Sequence, residues 1–154
     1  MTLREILRIL DANFNRSREG LRVCEEIARF VLQDKILTKD LKKARHAVSA
    51  CIMKLPVSAS KLLSARNVKA DVGRGPSRLE KPRHDAADLF AANSQRLKES
   101  LRVLEEISKL IDPMVSERLK KERFHVYSIE KRALPKLEAL RHHGSSGGKR
   151  KINP

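Results

Sequence analysis

The chain has no tryptophan, a single tyrosine and four phenylalanines, so any core it builds is aliphatic. Its two cysteines, Cys24 and Cys51, show no CxxC and no metal-ligand spacing. Both fall in amphipathic runs and read as small buried hydrophobes in a reducing compartment, with a disulfide the lesser option. No apolar run approaches the roughly 20 residues that a membrane span needs. The N-terminus turns amphipathic at once and lacks the apolar stretch of a signal peptide, so a cytoplasmic location is expected. Also missing are a GxxxxGK(S/T) loop, the protein-kinase signature set and any obvious Ser/His/Asp constellation. Acidic residues are outnumbered 19 to 34, giving a formal net charge of +15. That excess implies anionic partners, whether nucleotides, phosphorylated metabolites or nucleic acid, without choosing among them.

What is present is a repeat. Leu10 to Val31, LDANFNRSREGLRVCEEIARFV, returns 80 positions later as Phe90 to Ile111, FAANSQRLKESLRVLEEISKLI. The pattern ANxxRxxExLRVxEEI is common to both, and ten positions are identical without a gap. Several of these are polar and would be interchangeable on a merely solvated helical face. Downstream, LKKARH at Leu41 matches LKKERF at Leu119, now offset by 78, which pairs Arg45 with Arg123.

In the first copy, Leu3, Leu7, Leu10, Phe14, Ser17, Leu21, Cys24, Ala28 and Val31 recur at three- and four-residue steps, the stripe of an amphipathic helix. A second line beside it, Asn13, Arg16, Gly20, Val23, Ile27 and Phe30, is polar at one end and apolar at the other. Its counterpart, Asn93, Arg96, Ser100, Val103, Ile107 and Leu110, repeats the switch. This places Asn13 and Arg16 toward the interior side, where an arginine needs an anionic partner because desolvating an unpaired charge is costly. The plainest partners are local: Arg16 with Glu19, and Arg22 with Glu25 or Glu26, at helical ion-pair spacing. For one copy alone those local pairs are the favoured explanation. Duplication favours another arrangement, in which two helices meet across a pseudo-two-fold axis and bring Asn13, Arg16, Glu19 and Asn93, Arg96, Glu99 to one crevice. Gly20 and Ser100 are small at the expected crossing point.

The size of the chain, 154 residues, suits one domain. Thr2-Leu3-Arg4-Glu5 reads as a capping box opening a first helix of about 30 residues, to Leu32. A turn over Gln33 to Leu37 follows, then a second helix capped by Thr38 and Asp40 and ended by Pro56. A short third helix is expected over Ser58 to Ala65. Residues 66–83 lack periodicity and form a long connecting loop, in which Gly73 of Asp71-Val72-Gly73 is suited to presenting backbone amides to an anion. The second long helix starts near Pro82 to Asp85 and runs to Ile111. Asp112-Pro113 opens a last helix to about Leu140, which Pro135 should kink or end early. The predicted fold class is all-α: a helical bundle of two pseudo-symmetric hairpins, about residues 1–65 and 82–140, joined by a long loop. Residues 141–154, rich in Gly, Ser and basic side chains, read as a flexible tail. His142 and His143 in it have no further ligand nearby to make a metal site.

The stretches DANxNRxREGLRVxEExARFVL, LLxxRNxxxDVG and AANxxRxxExLRVLEE resemble the small helical hydroxymethylpyrimidine-phosphate kinase that occurs alone or fused to the N-terminus of thiamine-phosphate synthase. The match runs from about Leu7 to Arg132. The resemblance implies an all-helical kinase of thiamin biosynthesis. It would use ATP and Mg²⁺ to convert 4-amino-5-hydroxymethyl-2-methylpyrimidine phosphate to the diphosphate, leaving the free pyrimidine alone. Carried over by motif, it covers Asn13, Arg16, Glu19, Arg22, Glu26, Asn93, Arg96, Glu99, Arg102, Glu106, Arg45, His46, Arg66, Asp71 and Gly73. Within this set Arg16, Arg96 and Asp71 are expected to be catalytic and Glu19 and Glu99 to hold the metal. Substrate and phosphate would be bound by Asn13, Arg22, Arg45, His46, Arg66, Gly73, Asn93 and Arg102. The sequence departs from the family pattern at Asn67, where an acidic residue is usual, and at Arg74, where Thr follows DVG.

Phosphoryl transfer between phosphates relies on positioning and on electrostatic stabilisation by Arg, Lys and Mg²⁺, which the repeated arginines supply. Two other classes compete. A helical interaction module, with thiamine-phosphate synthase as partner, would show no nucleotide binding. A basic nucleic-acid binder is suggested by the charge and the Lys149-Arg150-Lys151 tail, but interleaved aromatics and a groove-reading motif are missing. Long helices with exposed stripes also suit a homo-oligomer, and the sequence leaves the oligomeric state open.

Overall fold

The structure, a computed structural model, describes residues 1–67, 69, 71 and 82–144, with side chains described as far as Arg141. Among the described residues it is all-α, five helices packed as a bundle. Helix α1 (Leu3–Glu26) opens with the expected capping box: Glu5 N–H donates to Thr2 Oγ1 at 3.3 Å, and Thr2 N–H to Glu5 Oε2 at 2.7 Å. It continues without a break into a wider π turn over Ile27–Val31, where Leu32 N–H reaches back to Ile27 O at 3.1 Å. Gln33 then takes a left-handed conformation with φ 53°, reversing the chain as a helix C-cap does.

The turn is shorter than the sequence suggests. Helix α2 (Lys35–Met53) starts at once, capped by Asp34, whose Oδ1 accepts from Ile36 and Leu37 N–H at 2.9 Å each. Thr38 and Asp40 therefore lie inside the helix instead of capping it. A carboxylate directly after the left-handed residue satisfies the free amides one turn earlier. Helix α3 (Ala59–Ala65) is capped by Ser58, and α4 (Ala86–Ser108) by Asp85.

Helix α5 (Pro113–Gly144) departs furthest from expectation, because it runs through Pro135 to Gly144. Proline removes one intrahelical bond and crowds the preceding turn, but packing holds the helix on either side: Ala133 and Leu137 are buried. Past it, Arg141 is bound by Asp85 and Asp88 at the start of α4. Hydrogen bonding from Arg141 holds the Asp85 carboxyl well below the usual carboxylate range. Arg141 thus belongs to the helical bundle; residues 145–154, the rest of the expected tail, lie outside the described residues.

The four long helices close a ring, α1 against α2, α2 against α5, α5 against α4 and α4 against α1, with α3 packed on α1. Leucines fill the middle, among them Leu10, Leu21, Leu41, Leu97, Leu101, Leu104 and Leu119, together with Phe90 and Ile129. The cysteines are free and buried, as expected, and burial pushes the Cys24 thiol up to about 12. No described helix is long and apolar enough to cross a membrane.

The α1–α4 contact sets the position of everything polar between them. At Gly20 an added Cβ would lie 3.1 Å from the backbone oxygen of Asn93 and 3.2 Å from Leu97 Cβ, so the helices meet closely enough that any side chain here would require α4 to give by a few tenths of an ångström. Replacing Gly20 with Val should push the helices apart and cost about 1–3 kcal/mol, measured as a lowered denaturation midpoint. Unchanged stability would mean that the crossing is loose.

Candidate functional site

A cavity of about 470 Å³ opens beside that crossing, and four repeat-related pairs line it: Asn13 with Asn93, Arg16 with Arg96, Glu19 with Glu99, and Gly20 with Ser100, plus Val103. The turns that carry ANxxRxxE on α1 and α4 face each other because the small residues let the helices approach. Each asparagine is fixed by its own helix, Asn13 Nδ2 donating to Ile9 O at 2.9 Å and Asn93 Nδ2 to Leu89 O at 2.8 Å. Asn13 is only 8% exposed. Arg16 and Arg96 are solvent-exposed on the cavity wall, which corrects the expectation that they enter the interior. The local pairing of Arg16 with Glu19 is not found among the described residues, whereas Glu99 accepts from Gln95 Nε2 at 2.8 Å.

Asn13 and Arg16 also form one wall of a second cavity, about 390 Å³, bounded by Arg8, Asp11, Arg66, Asn67 and Asp71 among others. Here Arg66 grips the buried Asp11 in a two-pronged pair, Nε to Oδ2 at 2.7 Å and Nη2 to Oδ1 at 2.8 Å. Hydrogen bonding to Asp11 raises the Arg66 guanidinium further above its ordinary value. Asp11 was not a sequence candidate. Its signal was there in the repeat itself, since the second copy has Ala91 at that place and Arg66 has no counterpart to pair with it.

On the other flank a third cavity, about 440 Å³, shares Glu99 and Val103 with the first and is lined further by Lys98, Arg102, Arg123 and Tyr127. Of the remaining sequence candidates, Arg22, Arg45 and His46 line none of these cavities, and Arg102 lines the third while engaged in ion pairs. Arg22 binds Glu25 at 3.5 Å and Glu26 at 2.6 Å; Arg102 binds Glu105 at 2.7 Å and Glu106 at 2.8 Å. Arg45 reaches from α2 to Glu25 at 3.0 Å, and Arg123 from α5 to Glu105 at 2.9 Å. Glu25 and Glu105 are 4% and 2% exposed, so each is a buried carboxylate held between two arginines. His46 is exposed on α2 and lines none of the three cavities. Gly73 and Arg74 lie outside the described residues. Among the described residues no group of three or more His, Cys, Asp or Glu could hold a metal ion. Glu19 and Glu99 nevertheless line one cavity, and magnesium is commonly held by one or two carboxylates together with substrate phosphates.

Comparison with known proteins gives the chain its relatives. A family model described as the ThiD2 family matches residues 8–132. Over 126 residues the chain is 41% identical to the thiamine-phosphate synthase of Synechocystis sp., covering 81% of this chain and 35% of that protein. The thiamine-phosphate synthase of Rhodopirellula baltica is 36% identical over 138 residues, covering 89% of this chain and 36% of the relative. That of Nostoc sp. (strain PCC 7120) is 39% identical over 126 residues, 81% and 34% respectively. The chain thus spans about a third of the length of these relatives. No solved structure matches it.

The buried carboxylates and their exposed partners should differ sharply on substitution. Glu105→Ala strands Arg123 and should cost about 3 kcal/mol, while Arg102→Ala, which removes an exposed partner, should cost about 0.5 kcal/mol. Urea denaturation of the two variants measures the contrast, and equal losses would contradict it.

Proposed function

The chain belongs to the ThiD2 family, and from that premise we propose that it is a kinase of thiamin biosynthesis that uses ATP to convert 4-amino-5-hydroxymethyl-2-methylpyrimidine phosphate to its diphosphate. The observation that carries the proposal is the central cavity, where two copies of one Asn/Arg/Glu set face each other. In this reading the hairpins α1–α2 and α4–α5 are related by a pseudo-two-fold axis through the Gly20 crossing. The matching clamps, Arg22–Glu25–Arg45 and Arg102–Glu105–Arg123, support that relation.

A phosphate oxygen of the acceptor attacks the γ-phosphorus of ATP; the bond to the bridging oxygen breaks and ADP leaves with its electron pair. Negative charge accumulates at the phosphates, and the exposed guanidiniums of Arg16 and Arg96 stabilise it from both walls. Asn13 and Asn93, each anchored by one amide N–H, keep polar groups directed at the same space. Glu19 and Glu99 would hold Mg²⁺, which supplies charge neutralisation when bound. Arg66, steadied by Asp11, and Asp71 serve the flanking cavity, where the phosphorylated pyrimidine enters. Because the acceptor is itself a phosphate, it needs little help from a general base. An arginine left without its phosphate also explains why the unphosphorylated pyrimidine would be refused. Gly73 remains a proposed phosphate contact through its backbone amide. Arg22, Arg45 and Arg102 act indirectly, by fixing the helices through Glu25 and Glu105, and His46 stands outside this arrangement.

Thiamine-phosphate synthase is a proposed partner, because a segment similar to this chain makes up about a third of proteins so named. Such an association adds to the kinase reading and does not replace it.

Coupled measurement of ADP release with ATP and Mg²⁺ tests the proposal. Turnover is expected with the pyrimidine phosphate and none with the unphosphorylated pyrimidine. Arg16→Ala and Arg96→Ala should each lower it on the order of tenfold or more, with helical content by circular dichroism unchanged. Absence of turnover in a folded protein, or full activity in both variants, would refute it.

A further inference from the structure

The three cavities stand in a row, the central one sharing Asn13 and Arg16 with one flank and Glu99 and Val103 with the other. The two flanks are carried by different parts of the fold: one by α4 and α5, the other by α1 with Arg66, Asn67 and Asp71 beyond α3. The α4–α5 flank has an aromatic wall, Tyr127, with Phe124 beside it. At the repeat positions 78 residues earlier, the α2 helix carries Ser49 and His46. The opposite flank has Asp11, Arg66, Asn67 and Asp71 instead.

Tyr127 is held in place and still open. Its hydroxyl accepts from Arg123 Nη1 at 3.1 Å, and Arg123 is itself fixed to the buried Glu105. Phe124 meets it edge-on, with ring centroids 5.7 Å apart and planes at 75°. Lys98 Nζ and Arg123 Cζ stand 5.4 and 5.7 Å from the ring centroid, both at the outer range of a cation–π contact, and Lys98 is tied to Glu130 at 2.7 Å. Even so, Tyr127 is 39% exposed and lines the cavity. The cations around it already have carboxylate partners: Arg123 and Arg102 on Glu105, Lys98 on Glu130. What this flank offers a ligand is therefore a pre-positioned π surface more than free positive charge.

We propose that the cavity beside Tyr127 takes the adenine base of ATP, so that the α4–α5 half binds the nucleotide and the Asp11–Arg66 flank binds the phosphorylated pyrimidine. This rests on the kinase reading above. A base stacked on a fixed aromatic ring gains affinity without needing a sequence-specific hydrogen-bond pattern. From that position a triphosphate passes Glu99 and Val103 into the central cavity and presents its γ-phosphate between Arg96 and Arg16. The single phosphate of the smaller substrate reaches the same point from the other side. Breaking the repeat at Tyr127 thus gives a near-symmetric groove a direction.

Calorimetric titration with ATP and Mg²⁺, with no acceptor present, tests the assignment on the whole chain. Tyr127→Ala should weaken ATP about tenfold, while its affinities for tripolyphosphate and for the pyrimidine phosphate stay at the wild-type values. Tyr127→Phe should retain ATP binding. Since Tyr127 is the single tyrosine and there is no tryptophan, wild-type tyrosine emission should also respond to ATP and not to tripolyphosphate. Wild-type protein that fails to bind ATP, unchanged ATP affinity in Tyr127→Ala, or equal weakening of all three ligands would overturn the assignment. Turnover combined with Tyr127-independent ATP affinity removes this subsite alone. Tyr127-dependent ATP binding without turnover removes the kinase reading and leaves the subsite standing.

Discussion

Close approach of α1 and α4 at Gly20 is the constraint on which the rest of the molecule depends. A helix pair separated by ordinary side chains would sit far enough apart for the two ANxxRxxE turns to face solvent independently. With the Asn93 carbonyl 3.1 Å from where a Gly20 Cβ would stand, they share one cavity instead. Glycine is a poor helix former, and its presence in the middle of α1 opposes local helix stability by about 1 kcal/mol relative to alanine. Leucines above and below the crossing, Leu21 and Leu101 among them, offset this by burial.

Two buried glutamates orient the helices around that crossing. Glu25 and Glu105 would be costly in an apolar core without partners, and each is satisfied by one arginine from its own helix and one from the helix packed against it. This arrangement fixes α2 on α1 and α5 on α4. The repeat therefore preserves two kinds of polar residue for different reasons: those that hold the helices and those that face the opening between them.

The sequence made much of this legible. Apolar periodicity located the helices, and identity of polar residues between copies located the crevice, because helix formation alone does not require Asn13 or Arg16. It could not separate the two kinds of arginine. Arg16 and Arg22 are both repeated, and only tertiary structure shows that one lines a cavity while the other pairs with Glu25 and Glu26. Helix ends were misread where capping competes among neighbours, as at Asp34 against Thr38, and where packing overrides a local breaker, as at Pro135. Of the asymmetric features, Arg66 entered only through the family resemblance, while its partner Asp11 and the pair Tyr127 and Phe124 escaped a reading built on what the copies have in common.

Fold, charge and the position of the arginines converge on one claim: that two phosphorylated heterocycles enter from opposite flanks and meet between Arg16 and Arg96. A crystal structure with a non-hydrolysable ATP analogue, Mg²⁺ and the pyrimidine phosphate bound together examines that claim most directly. The account predicts the terminal phosphate of the analogue and the acceptor phosphate in the central cavity, each within hydrogen-bond reach of one of those arginines. Phosphates bound elsewhere on the surface, with the central cavity filled only by water, would contradict it.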